Sequence, residues 1–302
     1  MMLNPSLPKP GAPSLGMSSA HYARRKITNV IMLTLTGAAT VLAIVPLIWI
    51  TAYVTIQGSR FLNIEFFTQL PTPVGVPGGG VINAIVGTGI VVGVACLIAI
   101  PIAIVGAFYA ADHPNTPLGI AIRFGTDVLS GIPSIVMGIF AYTIIVLPQK
   151  RFSAFSAGVA LAIIMLPLIL RTTEEMLKLV PRNLREGSLA LGASNWRTSV
   201  QVLLPAALNG VVTGIMLAIA RAAGEAAPML FTAFGSTGLV TDLNESTATL
   251  PHTIYIYAMS PFKDWQEKAW AAALVLIALV LGLNILARAL TWWRARQMGL
   301  NY

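Results

Sequence analysis

Glu186-Gly187-Ser188-Leu189-Ala190-Leu191-Gly192, running on through Asn195-Trp196-Arg197 to Val202-Leu203-Leu204-Pro205, is the stretch on which the reading of this chain turns. It lies between two long apolar segments, yet it carries its own charges and a helical pattern interrupted by glycine. That combination predicts a short helix lying outside the lipid. Its neighbours need a bilayer: of 302 residues, 56% are hydrophobic and 10% charged, with a mean hydropathy of +0.78, too apolar for a soluble globular chain.

The net charge of +8 comes from basic residues dispersed among the polar connections rather than gathered with aromatics on one face, which argues against nucleic acid and for a topological role. The single cysteine, Cys96, lies in an apolar segment, so neither a disulfide framework nor a thiolate metal cluster is available.

Residues 1–26, rich in Pro, Ser and Gly before the basic run Arg24-Arg25-Lys26, read as a flexible cytoplasmic tail, and residues 27–302 as a membrane domain. Ile27 to Ile56 is too long for a signal-peptide core and is predicted to stay as a first span, kinked at Pro46. Further spans are expected at about Val81–Ala111, Ile120–Leu147, Ser156–Leu179, Val200–Phe234 and Ala269–Leu290. The third contains Ser130-Gly131-Ile132-Pro133-Ser134, small residues around a proline, which suit either close helix packing or the lining of a polar path. Gly78-Gly79-Gly80 lacks the strand and spacing of a dinucleotide loop and is read as a flexible lead into the second span.

Counting Lys and Arg by side sets the orientation. Twelve fall on the side of the termini, the Asp112 turn and the 181–198 segment, against five on the other, so that side is predicted cytoplasmic. Six spans with both termini inside is the consistent topology.

Arg171 and Arg221 remain, each inside an apolar segment where a charge costs about 2.5–3.5 kcal/mol and must face protein or water. Each has acidic residues at helical spacing: Glu174 and Glu175 follow Arg171 at i+3 and i+4, and Glu225 follows Arg221 at i+4. Arg123 with Asp127 makes a third such pair nearer a helix start, with a structural role expected. Paired arginines of this kind serve either as buried ion pairs that fix helix register or as an anion path. In the latter, the guanidinium fork suits a tetrahedral oxyanion, and the neighbouring carboxylate weakens binding enough for release.

The segment from Glu186 to Pro205 resembles the cytoplasmic coupling loop of ABC importer permeases, with Gly187 and Ser188 where that family usually has two alanines. Together with Asn83-Ala84-Ile85-Val86-Gly87-Thr88, Gly131-Ile132-Pro133-Ser134-Ile135-Val136, Arg171-Thr172-Thr173-Glu174-Glu175 and Arg221-Ala222-Ala223-Gly224-Glu225-Ala226-Ala227-Pro228, it is similar to the PstA-type permeases of phosphate ABC importers. The likeness is strong from about Val81 to Phe234. It implies an all-α membrane protein of six transmembrane helices with the type I ABC importer permease (MetI-like) fold, its core over about 81–290 and its coupling segment over 181–198. It further implies a phosphate path carried by Arg171, Arg221, Glu225, Glu175 and Glu174, and ATPase docking through Arg185, Glu186, Gly187, Ala190, Gly192 and Ala193.

The implied partners are a second homologous permease, two ATP-binding subunits that hold the ATP and Mg, an external phosphate-binding protein and the lipid bilayer, in a bacterial inner membrane. No cofactor is expected in this chain. It has no G-x-x-x-x-G-K-[ST] loop, so any ATP hydrolysis by that route belongs to a partner, and no H-E-x-x-H or G-x-S-x-G, so an intramembrane hydrolase is not expected. The same architecture serving sulfate or molybdate, an ATPase-independent anion carrier, and a membrane scaffold for a sensor kinase remain as alternatives.

Overall fold

The computed structural model describes residues 19–76 and 78–297, so most of the expected N-terminal tail lies outside the described residues. The chain divides into two units after Tyr53. In the first, helix α1 (Ser19–Ser59) begins ahead of the basic run Arg24-Arg25-Lys26, which is therefore helical rather than part of a tail, and it continues unbroken through Pro46. Its described apolar side chains up to Tyr53 are exposed.

In the second unit, from Val54, the regular secondary structure among the described residues is all helix, apart from one isolated bridge between Phe234 and Thr247. A short helix α2 (Ile64–Thr68), capped by the Asn63 side chain on the Phe66 amide, leads to α3 (Ile82–Asp112). Then follow α4 (Pro117–Gly131), α5 (Ser134–Gln149), α6 (Ala154–Leu179), α7 (Arg182–Ala190), α8 (Asn195–Ala223), α9 (Ala227–Thr232), α10 (Leu250–Ala258) and α11 (Lys263–Gln297). Five of these helices, counting α1, are long and apolar enough to span a membrane, or six if α4 and α5 count as one bent span.

The core is built on close approach. Ala95, Ala99, Ala103 and Ala107 repeat every four residues down α3, each fully buried, so the backbone of α6 comes near along its length. From the α6 side, Gly158 leaves room for Val94: a Cβ there would lie 2.7 Å from the Val94 Cβ. Helix α8 nests against the other half of α6, with Gly210 over Met176 and Gly214 over Thr172. Helix α6 is thus the central element, and it carries Arg171, Glu174 and Glu175. A second, smaller core of Phe66, Val81, Ala84, Leu250, Tyr257, Ala269 and Ala272 joins the segment after α9 to the start of α11.

Two expected spans are corrected. The third is two helices: α4 ends at Gly131, Ile132 is extended at φ −80° and ψ 130°, and the axis turns by 107° into α5. The clash of a proline ring with the preceding residue favours such an extended residue. The fifth ends at Ala223 with Gly224 as its cap, and the short α9 follows separately, so it does not run on to Phe234.

Candidate anion path and docking surface

Arg221 ends α8 opposite the break between α4 and α5. Arg221 lines a small cavity of about 10 Å³ with Ser130, Ser134, Ile164 and Pro167. That volume holds about one water and no oxyanion, so a larger ligand must reach Arg221 from its open side. The Arg221 side chain is 55% exposed, and its nearest ionic partner is Glu225, with Nε 3.8 Å from Oε1, too long for a hydrogen bond. Among the described residues the guanidinium therefore keeps its donors unspent. Ser130 is committed otherwise, its hydroxyl donating to the Thr126 carbonyl at 2.8 Å.

Arg171 behaves differently. Its Nε donates to Glu175 at 3.0 Å and Nη1 lies 4.0 Å from Asp127 of α4, all three side chains being about half-exposed or more. One arginine between two carboxylates on an open face carries a net negative cluster.

Glu174 and Asp127 do not pair as their spacing suggests. Glu174 is fully buried and accepts from Arg123 Nε at 2.7 Å and Lys178 Nζ at 2.6 Å, not from Arg171. Arg123 also donates to the carbonyls of Pro114 and Ala110, at 2.9 and 2.6 Å, so it ties α4, the turn before it and α6 together. The expected Arg123–Asp127 pair is replaced by this one. Glu174 is accordingly a bracing residue, and the path candidates reduce to Arg171, Glu175, Arg221 and Glu225, with Asp127 added beside Arg171. The i+3 and i+4 rules supply only partners on the same helix, and here the deciding contact is 51 residues away.

A neighbouring cavity of about 660 Å³ between α3, α4 and α6 is lined by Pro101, Ile102, Val105, Leu129 and Leu166. The Thr126 hydroxyl in its wall already donates to Ile122, which leaves an anion little to bind.

The segment quoted at the outset forms α7 and the start of α8. Its glycine has a mechanical reason. Gly192 adopts φ +83°, its amide donates to Leu189 at 2.9 Å, and the Ala193 amide donates to Ser188 at 3.2 Å, the paired closing bonds of a left-handed helix stop. The turn is then clamped by Ser188 and Thr198, whose hydroxyls lie 2.9 Å apart, and Ser194 caps the next helix on the Arg197 amide. Arg185 holds Asp112 at the end of α3 at 2.7 Å, which fastens the segment to α3. Ala193 is half-buried in the same turn. Glu186, Gly187 and Ala190 are exposed beside Leu184, Leu191 and Trp196, and a side chain added at Gly187 would meet nothing within 4 Å. Leu184, Leu191 and Trp196 are large apolar side chains open to solvent on this segment.

Beyond α9, the connection to α10 is packed rather than loose. Asn83 donates to the Ser236 carbonyl at 2.6 Å, Thr88 Oγ1 accepts the Leu250 amide at 2.8 Å, and Gly87 leaves space that the Ala248 carbonyl fills. His252 is buried against Gly235, and burial lowers its pKa from the ordinary imidazole value.

Residues 99–293 match the family described as binding-protein-dependent transport system inner membrane component. The phosphate transport system permease protein PstA of Yersinia pestis is 42% identical over 269 residues, 89% of this chain and 91% of that protein. The PstA of Pasteurella multocida is 41% identical over 90% of this chain and 97% of its own. Among solved structures, an inward-facing form of the MetNI methionine ABC transporter superposes with a TM-score of 0.55 at 19% identity, over 70% of this chain and 92% of that one, a likeness of fold.

Proposed function

Because the chain belongs to the binding-protein-dependent transport system inner membrane components, and among them to the PstA phosphate transport permeases, we propose that it gives inorganic phosphate its route across the bacterial inner membrane along Arg221 and Arg171. It is a transport subunit and not an enzyme. The observation that carries the route is Arg221, a guanidinium at the end of a membrane helix with its donors unspent and its carboxylate partner held off at 3.8 Å. A tighter pair would exclude the anion, and a lone arginine would retain it.

The half-exposure of both arginines supports a second permease covering this face, since lipid against them would cost about 2.5–3.5 kcal/mol each. Phosphate then passes between the two chains. Two ATP-binding subunits, which hold the ATP and Mg, seat on the Leu191 and Trp196 surface, and a phosphate-binding protein delivers cargo from outside. The termini and α7 face the cytoplasm in this arrangement, in keeping with the distribution of basic residues. Sulfate and molybdate present the same tetrahedral geometry, and the likeness to permeases named for phosphate selects among them.

Arg221→Gln in the full transporter tests the route. Copurification of all subunits with uptake of labelled phosphate abolished is the expected result, and normal uptake by a fully assembled variant removes Arg221 from the path. Excess sulfate or molybdate should leave phosphate uptake unchanged; strong competition would reassign the cargo.

A further inference from the structure

A buried hydroxyl without a partner and a partly exposed carboxylate line one cavity. Thr249 is 3% exposed and its buried Oγ1 has no partner. It occupies the N-cap position of α10, where a threonine ordinarily accepts from the first-turn amides, and here that bond is not made. Glu225 lines the same cavity, which also includes Thr88 and Met229 and encloses about 10 Å³. Its carboxylate is 20% exposed and has only the 3.8 Å approach of Arg221 among the described residues. An unmade hydrogen bond at a buried donor costs about 1–3 kcal/mol, and a carboxylate withdrawn from water requires donors still more.

The surroundings determine which group moves. Thr249 is held from both sides: the next residue's amide donates to Thr88 at 2.8 Å, and the Thr249 carbonyl accepts from Thr253 at 2.8 Å. Just upstream, the Ser246 hydroxyl lies 2.7 Å from the carbonyls of both Ala233 and Gly235, and the Ala248 carbonyl fills the space at Gly87. Glu225 sits in the irregular link between α8 and α9, its amide on Ala222, with a side chain free to turn.

We infer that Thr249 is a positioning residue, the donor that receives the Glu225 carboxylate when phosphate displaces it from Arg221. Release of Arg221 leaves a carboxylate in a poorly hydrated place, and without a waiting donor it would return to the guanidinium and expel the anion. The Thr249 hydroxyl supplies a charge-assisted bond at that moment and gives it up when phosphate moves on. The inference rests on the Arg221 route proposed above.

The test uses Thr249→Val and Thr249→Ser in the complete transporter, each with and without Glu225→Gln. Uptake of labelled phosphate per assembled complex should fall about tenfold in Thr249→Val, the scale of one lost charge-assisted bond, and stay within about twofold in Thr249→Ser. Phenylglyoxal modification of Arg221, followed by peptide mass, gives a readout independent of turnover. Inorganic phosphate should need about tenfold higher concentration to protect Arg221 in Thr249→Val, with no such rise once Glu225→Gln is also present. Normal uptake in Thr249→Val, or an equal shift in protection with and without Glu225, overturns the inference. Arg221→Gln separates the two readings: if it abolishes uptake while Thr249→Val does not affect it, only the Thr249 role falls, and if Arg221→Gln transports normally the route itself falls.

Discussion

Replacing Glu174 by alanine should weaken the protein without altering the transport step. The carboxylate is fully buried and takes two short bonds, from Arg123 at 2.7 Å and Lys178 at 2.6 Å. Removing one member of a buried pair costs about 3–5 kcal/mol where the other is left stranded. Neither cation is stranded here: Arg123 keeps the Ala110 and Pro114 carbonyls, and Lys178 is half-exposed and rehydrates. The Lys178 bond is then worth under about 1 kcal/mol. Most of the loss falls on Arg123, which puts the total at about 2–3 kcal/mol. Denaturation of the detergent-solubilised complex, run for Arg123→Ala, Glu174→Ala and the double variant, measures it, and the coupling should reach about 1.5 kcal/mol or more. Uptake per assembled complex should stay near normal. Additivity within about 0.5 kcal/mol, or a lost transport rate in fully assembled Glu174→Ala, would refute the bracing role.

Gly192→Ala forces a side chain into the left-handed region at a cost of about 1–2 kcal/mol, whereas Gly192→Asn should cost less. ATPase stimulation by the loaded binding protein should fall in that order, and Gly192→Trp should abolish it. Gly87→Ala drives a Cβ onto the Ala248 carbonyl and should prevent assembly, read as loss of the copurified complex. His252 is held neutral by burial, so the folded state binds its proton less readily than the unfolded chain. The stability this contributes is complete above the unfolded value of about 6.5 and declines as pH falls below it towards the lowered folded pKa. Thermal unfolding between pH 7.5 and 5 should show the decline, and His252→Gln should flatten it.

Hydropathy alone marks α1, α3, α6, α8 and α11, because each is a long unbroken apolar run. The break at Ile132 is harder to see. Pro46, Pro101 and Pro167 lie inside helices that continue through them, so proline by itself does not decide. Pro133 differs in following Gly131, a poor helix former, and in what comes after it: Gly138 of α5 fits against Pro228, where a Cβ would lie 2.7 Å from the proline Cα. That contact joins residues 90 apart and has no local trace.

Charges divide in the same way. Helical spacing finds Arg171 with Glu175 and Arg221 with Glu225, but the partners of Arg123 and Arg185 come from other helices, and Glu174 pairs with Arg123 and with Lys178 at i+4 rather than with Arg171 at i−3. Thr249 is not singled out by the sequence, and only its unused hydroxyl in the structure sets it apart.

Helix α3 meets the clamped segment at one end, through Asp112 and Arg185, and at the other holds the connection between α9 and α10 through Asn83, Gly87 and Thr88. Its 31 residues reach about 46 Å without a break. A displacement of Asp112 along the axis of α3 would therefore carry to Asn83, Gly87 and Thr88 along a single rod, in which Pro101 removes one backbone bond. The two ends of α3 are mechanically one piece, and the stiffness of that rod sets how much of a movement at one end reaches the other.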